Sequence, residues 1–377
     1  MAAPGSSSRH RAGTRSGRRP GRGTPRAPVL RAGAVIAVAV ALFAACSSTP
    51  IPKAKPTAAA TTTTAAPAPT PPPPPPPVVW PLTGVPTTAL VDRPALAVKI
   101  ENSIDARPQT GLNAADMVWE QVVEGGITRY VAVFHSTIPA EIGPVRSVRP
   151  MDPSIAAPLH GPLAFSGGQP LFLDAVARSG VQAISMDAGA AGFYRSSSRY
   201  APHNVYANPQ TLIDQADATH KAAPPAQFDF ATAAQQPTAA VSGPPATALS
   251  LRLSGIGTPQ WTWSAPDGRW LRSEGATPAV GADGARLAAT NVVVLRVDVV
   301  MTQAYDAAGN RVPETVLVGH GDALVASAGH AVAVTWTKAA VGERVVLAGA
   351  DGSPVALAPG NTWVELVPNG TGSVAVG

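Results

Sequence analysis

Seven consecutive prolines, Pro71–Pro77, divide the chain into two parts of different character. They close a stretch rich in Thr, Ala and Pro that begins at Cys46, and such a composition cannot bury a hydrophobic core. A proline run favours the extended polyproline II conformation, which rises ~3.1 Å per residue. Residues 46–79 are therefore predicted to form a disordered tether, acting as a spacer or as bait for a proline-binding module. Folding is confined to residues 80–377.

The segment before the tether has the features of an export signal. Eight arginines and no acidic residue lie in the first 31 positions, and the apolar run Ala32–Ala45 of 14 residues follows. A basic region, a short apolar core and small residues before a cleavage point are typical of a secretory signal peptide, and the run is shorter than the ~20 residues of a membrane-spanning helix. Phe43-Ala44-Ala45-Cys46 resembles the bacterial lipobox, in which the cysteine is lipidated and the chain is cut just before it.

These features predict a signal peptide over residues 1–45 and a lipid such as palmitate on Cys46. The mature protein would then be exported and anchored on the outer face of the bacterial plasma membrane, with an uncleaved membrane anchor as the alternative. Cys46 is the only cysteine, which leaves no thiol for a disulfide, a zinc site or a nucleophile.

The basic charge of the chain belongs to the predicted signal peptide. The full sequence has 28 Lys and Arg against 23 Asp and Glu, a net charge of +5. Without the eight signal arginines, 20 basic residues face 23 acidic ones, a net charge of −3. The usual inference from a basic chain to nucleic acid does not apply, and no nucleic-acid partner is expected.

A change in composition divides the folded part. Residues 218–246 are rich in Ala, Pro and Gln and lack apolar periodicity, so they are predicted to be an exposed linker between domains at 80–217 and 247–377. In the first domain, apolar patterns predict strands over Pro94–Glu101, Thr128–Phe134, Leu163–Ser166 and Val181–Met186, with a helix over Pro170–Ser179. This order predicts a mixed α/β domain, whereas the segment Asp116–Val123 fits a helix or a strand.

The second domain shows strand signals throughout. Trp261 and Trp263 alternate within Gln260–Ser264, and the turn Ala265–Gly268 leads into a hairpin partner at Arg269–Arg272. Further strands are predicted over Leu249–Leu253, Asn291–Met301, Glu314–Val318, Ala331–Thr337, Arg344–Leu347 and Trp363–Val367. The whole chain is thus predicted to be α+β, with a mixed α/β domain followed by a β-rich antiparallel domain.

Several short blocks in order resemble the YerB-like family of bacterial lipoproteins. The blocks are Ala106–Leu112, Val123–Arg129, Ile142–Ser147, Phe193–Arg195 with Arg199 and Ala201–Asn204, and then Asn291–Val294 and Pro359–Trp363. The resemblance covers most of residues 80–368. It implies an envelope lipoprotein with a mixed N-terminal domain of unknown function and a C-terminal β domain. The family brings no established activity with it.

Unusual polar residues cluster beside glycines and prolines in the first domain. They are Arg107, Glu124, Arg129, Arg146, Arg195, Arg199, His203 and Asn204, with Arg149 close by. Arginine presents a planar fork of donors that matches carboxylate and phosphate oxygens. If folding gathers these residues, they would form an anion-binding cleft. The alternative is that the arginines brace loops by pairing with carboxylates such as Glu101, Glu120 or Asp187.

An enzyme is the competing class. His203 has the chemistry of a general base, with Glu124 or Asp187 as its carboxylate partner, although no nucleophile elbow is present. Histidine spacing does not match a metal motif, and no phosphate loop occurs, so no metal or cofactor is expected. Five tryptophans in the second domain suit either a glycan-binding face or cross-strand packing.

The sequence therefore predicts a membrane-anchored envelope lipoprotein that binds or scaffolds an anionic or glycan component of the envelope. A cell-wall hydrolase or transferase using His203 is one alternative, and a purely structural partner-binding lipoprotein is the other. Catalysis is the less favoured of these hypotheses.

Overall fold

The computed structural model describes residues 77–232 and 236–377, which belong to one compact unit. The predicted signal peptide, Cys46 and all but the last residues of the predicted tether lie outside the described residues. In the first half the strands are β1 Leu96–Glu101, β2 Met117–Val122, β3 Thr128–Phe134, β4 Pro162–Phe165, β5 Gln182–Ser185, β6 Phe193–Arg195, β7 Val205–Ala207 and β8 Asp229–Phe230.

Short helices connect these strands. The α-helices are α1 Asp152–Ala156, α2 Pro170–Arg178, α3 Pro209–Ile213 and α4 Thr238–Ser242. Single turns of 3-10 helix lie at Ile104–Ala106, Leu112–Ala114, Glu124–Gly126 and Ala157–Leu159. The predicted helix at Pro170–Ser179 is confirmed as α2, and proline at its first position fits the fixed φ of that residue.

The second half is built of strands. They are β9 Ala248–Arg252, β10 Pro259–Ser264, β11 Arg269–Glu274, β12 Thr277–Pro278, β13 Ala288–Ala289, β14 Asn291–Tyr305, β15 Arg311–Val316, β16 Gly319–Ser327, β17 His330–Lys338, β18 Val346–Ala348, β19 Ala356–Leu357, β20 Thr362–Pro368 and β21 Ser373–Val376. The predicted hairpin of β10 and β11 is confirmed. Strand β16 was not predicted, because its glycines and exposed polar residues hide the apolar alternation.

In the described part of the chain, eleven strands form one central sheet that draws on both halves. Its order is β18-β17-β16-β14-β20-β2-β3-β1-β4-β5, with β15 paired to β14. Strand β20, near the end of the chain, runs parallel to both β14 and β2 and so joins the two halves. The second half is therefore β-rich but not purely antiparallel, and the predicted α+β class is confirmed only in part.

Both faces of the central sheet are buried. In β1, Leu96 and Val98 face one core and Ala97 faces the other. The core that contains Leu96 and Val98 also contains Trp261 of the small sheet β12-β11-β10-β9-β21 with β13, and the core that contains Ala97 also contains Phe172 of α2. Burial on both sides explains why β1 and β3 read as nearly continuous apolar runs.

The expectation that residues 218–246 are exposed is wrong for some of the residues described in this segment. Phe228 and Ala239 are buried, and the Gln227 side chain donates a hydrogen bond of 2.9 Å to the Pro158 carbonyl. Strand β8 in this segment pairs in parallel with β19. The segment lacks apolar periodicity because scattered single residues, not a stripe, supply its buried surface. Whether the two halves behave as separate domains in solution stays a prediction.

One buried arginine stands where the halves meet. Arg272 of β11 donates to Glu120 of β2 at 2.6 Å and to Glu365 of β20 at 2.7 Å. It also donates to Glu274 at 2.9 Å, and its guanidinium carbon lies 4.8 Å from the centroid of the Trp363 ring. We name these four charged residues, Arg272, Glu120, Glu274 and Glu365, the Arg272 cluster.

Glu120 and Glu365 are direct neighbours in the register of β2 and β20. Two carboxylates side by side repel each other, so burial and then Glu120 raise the pKa of Glu365 well above its ordinary value. Burial alone would raise the pKa of Glu120, but Arg272 and hydrogen bonds to its carboxylate lower it. The pair therefore shares a proton and the guanidinium of Arg272, and Glu274 has a second cation in Arg107, whose Nη2 lies 3.1 Å away.

Candidate functional site

A second group of charged residues gathers at the ends of β1 and β3. Glu101 ends β1 and pairs in register with Arg129, near the start of β3. The loop that follows runs beside β1, because the Arg146 amide donates a 2.9 Å hydrogen bond to the Lys99 carbonyl. His203 reaches the same place from the loop between β6 and β7. Three separate segments thus converge at one edge of the central sheet.

The glycines of the β2–β3 connection make this approach possible. Gly125 and Gly126 have φ of +67° and +75°, a region that favours glycine, and the Val123 amide closes the turn on the Ile127 carbonyl at 2.8 Å. The turn places Glu124 beside Arg149. At Gly167, an added Cβ would lie 1.8 Å from the Asp187 carboxylate, so that glycine serves packing against Asp187.

The carboxylate of Glu101 contacts side chains from three parts of the site. Its Oε1 atom accepts from Ser103 at 2.9 Å, lies 3.0 Å from His203 Nδ1 and lies 3.3 Å from Arg146 Nε. Within the described residues, its buried Oε2 atom has no hydrogen-bond partner. The carboxylate partner of His203 is therefore Glu101, and the expectation of Glu124 or Asp187 in that role is wrong.

Arg129 is buried without a carboxylate partner. Its Nη1 donates to the Ser147 carbonyl at 2.9 Å, and its Nε atom has no partner in the described ranges 77–232 and 236–377. Burial first, and then the charges of Arg149 and Arg146, lower the pKa of Arg129 to about 9, against the opposing effect of Glu124 and Glu101. The guanidinium still carries its charge at neutral pH, and two further cations, Arg146 and Arg149, lie near it.

The neighbouring charges are more fully paired. Lys99 Nζ lies 2.6 Å from Asp152 Oδ1, and Gln121 donates to the same oxygen. Arg149 Nε lies 2.7 Å from Glu124 Oε1. Burial lowers the pKa of Lys99 to about 8 although Asp152 opposes the shift.

We name the whole set the Arg129 cluster: Lys99, Arg129, Arg146 and Arg149 with Glu101, Glu124 and Asp152. Within this set four cations meet three carboxylates, which leaves one positive charge in excess before His203 and Asp306, an exposed carboxylate influenced by Arg149, are considered. A buried excess charge is costly unless an opposite charge joins it. The arrangement can therefore hold an anion beside Arg129 and Arg146.

The remaining predicted residues brace loops. Arg107 donates to Asn102 Oδ1 at 2.9 Å and lies 3.1 Å from Glu274 Oε2. Arg195 donates to Asn204 Oδ1 at 2.9 Å. Arg199 donates to the Asp105 carbonyl at 2.9 Å and to the Pro108 carbonyl at 2.6 Å.

The predicted convergence is thus realised for Arg129, Arg146, Glu124 and His203, and Arg149 belongs with them. Sequence reasoning missed Lys99 as a member, and it gave Glu101 and Asp152 only as carboxylates that pair with loop-bracing arginines. The available signal was the buried strand "LAVKIE", where two charged residues interrupt an apolar run. Charged residues are seldom fully buried unless they are paired.

The tryptophans do not form an exposed platform. Trp261, Trp270 and Trp363 are buried, and Trp336 is buried with its Nε1 donating to the Arg296 carbonyl at 3.0 Å. Trp263 packs against Trp270 with ring centroids 5.4 Å apart. These rings serve the core and cross-strand packing, which argues against a tryptophan-lined glycan face.

Comparison with known proteins places the chain. Residues 82–222 match the family described as "Protein of unknown function (DUF3048) N-terminal domain", and residues 249–364 match the C-terminal domain of the same family. Together the matches cover about two thirds of the chain. The chain belongs to the DUF3048 family. The resemblance to YerB-like proteins is thereby confirmed.

Two related proteins support this assignment. The chain is 35% identical over 130 residues to a Bacillus subtilis (strain 168) protein named "Putative lipoprotein YerB", an alignment that covers 33% of this chain and 39% of that protein. The crystal structure of the YerB protein from Bacillus subtilis superimposes with a TM-score of 0.66 at 23% identity, covering 79% of this chain and 99% of the other. At that identity the superposition shows a shared fold.

The two arginine clusters are distributed differently over the two family segments. All of the Arg129 cluster lies within the N-terminal segment, 82–222. The Arg272 cluster takes Glu120 from that segment and Arg272 and Glu274 from the C-terminal one, while Glu365 follows the end of the match at residue 364. Hence the candidate site belongs to one half of the family fold, whereas the Arg272 cluster joins both halves.

Over residues 77–232 and 236–377, the helices are too short or too polar to cross a lipid bilayer. In the same ranges, His, Asp and Glu side chains do not gather in a group of three or more suited to a metal ion.

Proposed function

We propose that this chain is an exported envelope lipoprotein, anchored through a lipid on Cys46, whose folded part binds an anionic group beside Arg129 and Arg146. The observation that carries the binding proposal is Arg129 itself, a buried guanidinium with an unpartnered Nε and two cationic neighbours. Arg146 is about one fifth exposed, so it offers a route from solvent to this charge. Guanidinium groups suit phosphate, sulfate and carboxylate oxygens.

The anchoring part of the proposal is supported by the lipobox-like sequence before Cys46 and by the name of the Bacillus subtilis relative. Replacing the cysteine, as in Cys46→Ala, removes the only thiol that lipid could modify. Metabolic labelling with a radioactive fatty acid should mark the wild type and leave this variant unlabelled. Labelling of the variant would contradict the lipid assignment.

The binding part is tested by titrating inorganic phosphate into the purified chain by calorimetry. Saturable binding is expected for the wild type, and Arg146→Ala should weaken it by about tenfold to a hundredfold, because a charge-assisted contact is worth ~1.5–3 kcal/mol. The matched control is Arg178→Ala, since Arg178 is an exposed arginine at the end of α2, and it should leave phosphate binding unchanged.

The same titration separates this proposal from a purely structural role. A structural lipoprotein whose arginines only brace loops would show no saturable phosphate binding. Equal weakening by Arg146→Ala and Arg178→Ala would indicate a general charge effect instead of a site.

A hydrolase or transferase is the second candidate, favoured by the contact between His203 Nδ1 and Glu101 Oε1 at 3.0 Å. This carboxylate orients the ring so that Nε2 is turned toward Asp105, whose Oδ2 lies 3.9 Å away. Such a pair suits a general base. Cell-wall fragments incubated with the wild type should then be cleaved or rejoined and remain intact with His203→Gln, as followed by mass spectrometry. Intact fragments in both cases would contradict catalysis on these fragments.

A further inference from the structure

A groove runs along both sides of Arg107, close to the loop that follows β1. Two pockets of about 350 Å³ and 420 Å³ share Ile104 and Arg107 as lining residues. The first pocket continues along Pro108, Val280 and Leu287 toward the small sheet. Volumes in this range are typical of small-molecule sites, which are mostly apolar with a few polar groups.

The rim of the groove exposes large aliphatic side chains. Ile104 is 79% exposed and Ile256 is 66% exposed, and both line the larger pocket. Scattered exposed aliphatic residues are common on soluble proteins, but here two of the most exposed ones stand at one opening. A hydrocarbon segment entering the groove would cover them.

The groove comes close to the proposed anion site through two of its lining residues. Ser103 and Asp105 line the larger pocket. Ser103 also donates to Glu101 at 2.9 Å, and Asp105 Oδ2 lies 3.9 Å from His203 Nε2. One end of the groove therefore lies near the residues that contact Glu101 and His203, and the other end is lined largely by aliphatic and proline side chains, with Glu274 and Arg107 also present.

We propose that the ligand is an anionic lipid, with its phosphate group beside Arg146 and Arg129 and its hydrocarbon chain in the groove between Ile104 and Ile256. This inference rests on the proposed anion site and adds the chemical class of the ligand. The excess positive charge matches a phosphate headgroup, and the apolar groove beside it matches the chain attached to that headgroup. A free inorganic anion would fill the charged end alone.

The test uses dihexanoyl phosphatidic acid below its critical micelle concentration, titrated into the full-length protein by calorimetry. Inorganic phosphate and dihexanoyl phosphatidylcholine serve as comparison ligands. The phosphatidic acid should bind about tenfold more tightly than phosphate, because hydrocarbon burial adds to the headgroup contacts. It should also bind more tightly than phosphatidylcholine, in which a bulky cation is attached to the phosphate.

Matched variants assign the two ends of the ligand. Ile104→Ser and Ile256→Ser should each weaken phosphatidic acid and leave phosphate unchanged, whereas Arg146→Ala should weaken both. Val241→Ser is the control, since Val241 is 70% exposed on α4 and lines neither pocket. All of these isoleucine and valine positions are exposed, so the substitutions do not disturb the core.

Each other result contradicts a defined part of the account. Equal affinity for phosphate and phosphatidic acid would overturn the lipid inference and leave the anion site standing. Absence of binding for both would overturn the inference together with the proposed function. Equal affinity for phosphatidic acid and phosphatidylcholine would show that the headgroup charge is not recognised. Unchanged binding of phosphatidic acid by both serine variants would show that the hydrocarbon chain does not bind in the groove.

Discussion

Two buried arginines in this fold have opposite electrostatic surroundings. Arg272 is fully buried and contacts three carboxylates, and the ring of Trp363 lies below its guanidinium. Arg129 is 4% exposed, yet it has one backbone acceptor and two cationic neighbours. Burial would lower the pKa of Arg272, but Glu120 and its other partners raise it well above the ordinary value, whereas the pKa of Arg129 is lowered.

The difference separates a structural arginine from a candidate ligand-binding one. Arg272 has its charge neutralised within the fold, so its removal leaves carboxylates without a partner. Arg129 lies in a positive excess, so its removal relieves repulsion unless an anion is present. An arginine side chain therefore stabilises the fold at position 272, whereas at position 129 we propose that it binds an anion.

The largest expected effect follows from Arg272→Met. The variant leaves Glu120 and Glu365 buried side by side without their shared cation, which should lower the free energy of unfolding by about 3–5 kcal/mol. Urea denaturation followed by tryptophan fluorescence measures this value. The control is Arg252→Met on β9, where the arginine is exposed and the expected change is within about 0.5 kcal/mol. A similar small loss in both variants would mean that the Arg272 cluster does not hold the halves together.

A smaller effect is expected from the pH dependence of Glu365. Its folded-state pKa is raised, so its contribution to stability is full below the ordinary value of 4.5 and is lost as the pH rises through the folded-state pKa. Glu365→Gln imitates the protonated form and removes that loss. The free energy of unfolding of Glu365→Gln relative to the wild type should therefore increase from pH 5 to pH 8.

Urea denaturation of both proteins at matched pH values provides the measurement. Glu120 has a lowered pKa, so its contribution to stability is full above its ordinary value of 4.5 and is lost only at lower pH, outside the range from pH 5 to pH 8. A difference that stays constant from pH 5 to pH 8 would show that Glu365 titrates normally and that the pair does not share a proton.

Much of the local structure could be predicted, because the spacing of apolar residues along the chain was enough to identify single strands and helices. Strand β3 was predicted over Thr128–Phe134, the residues that form it. The strand β1 and the helix α2 were predicted within two residues of their ends. By contrast, residues 218–246 gave no periodic signal although several of their side chains are buried.

The site was harder to predict, because its members meet only through the topology of the sheet. Arg272 and Glu120 are 152 positions apart, and His203 and Glu101 are 102 apart. In the sequence, Arg129 and Arg272 both stand in strands among apolar residues and look alike. What distinguishes them is the contact made with the neighbouring strand. Strand β20 brings Glu365 to 2.7 Å from Arg272, whereas β1 places Glu101 opposite Arg129 in register but Glu101 forms its ion pairs with Arg146 and His203.

The smallest expected effect, and the most direct test of the central claim, comes from Arg129→Met. In a phosphate-free buffer the free energy of unfolding should change by no more than about 1 kcal/mol, because an uncompensated buried charge is exchanged for an apolar side chain. Phosphate at about ten times its dissociation constant should stabilise the wild type by ~1.4 kcal/mol and leave the variant unchanged, with chloride at the same ionic strength as the reference. A loss of several kcal/mol without phosphate, or equal stabilisation of both proteins by phosphate, would contradict the account and make Arg129 a structural residue like Arg272.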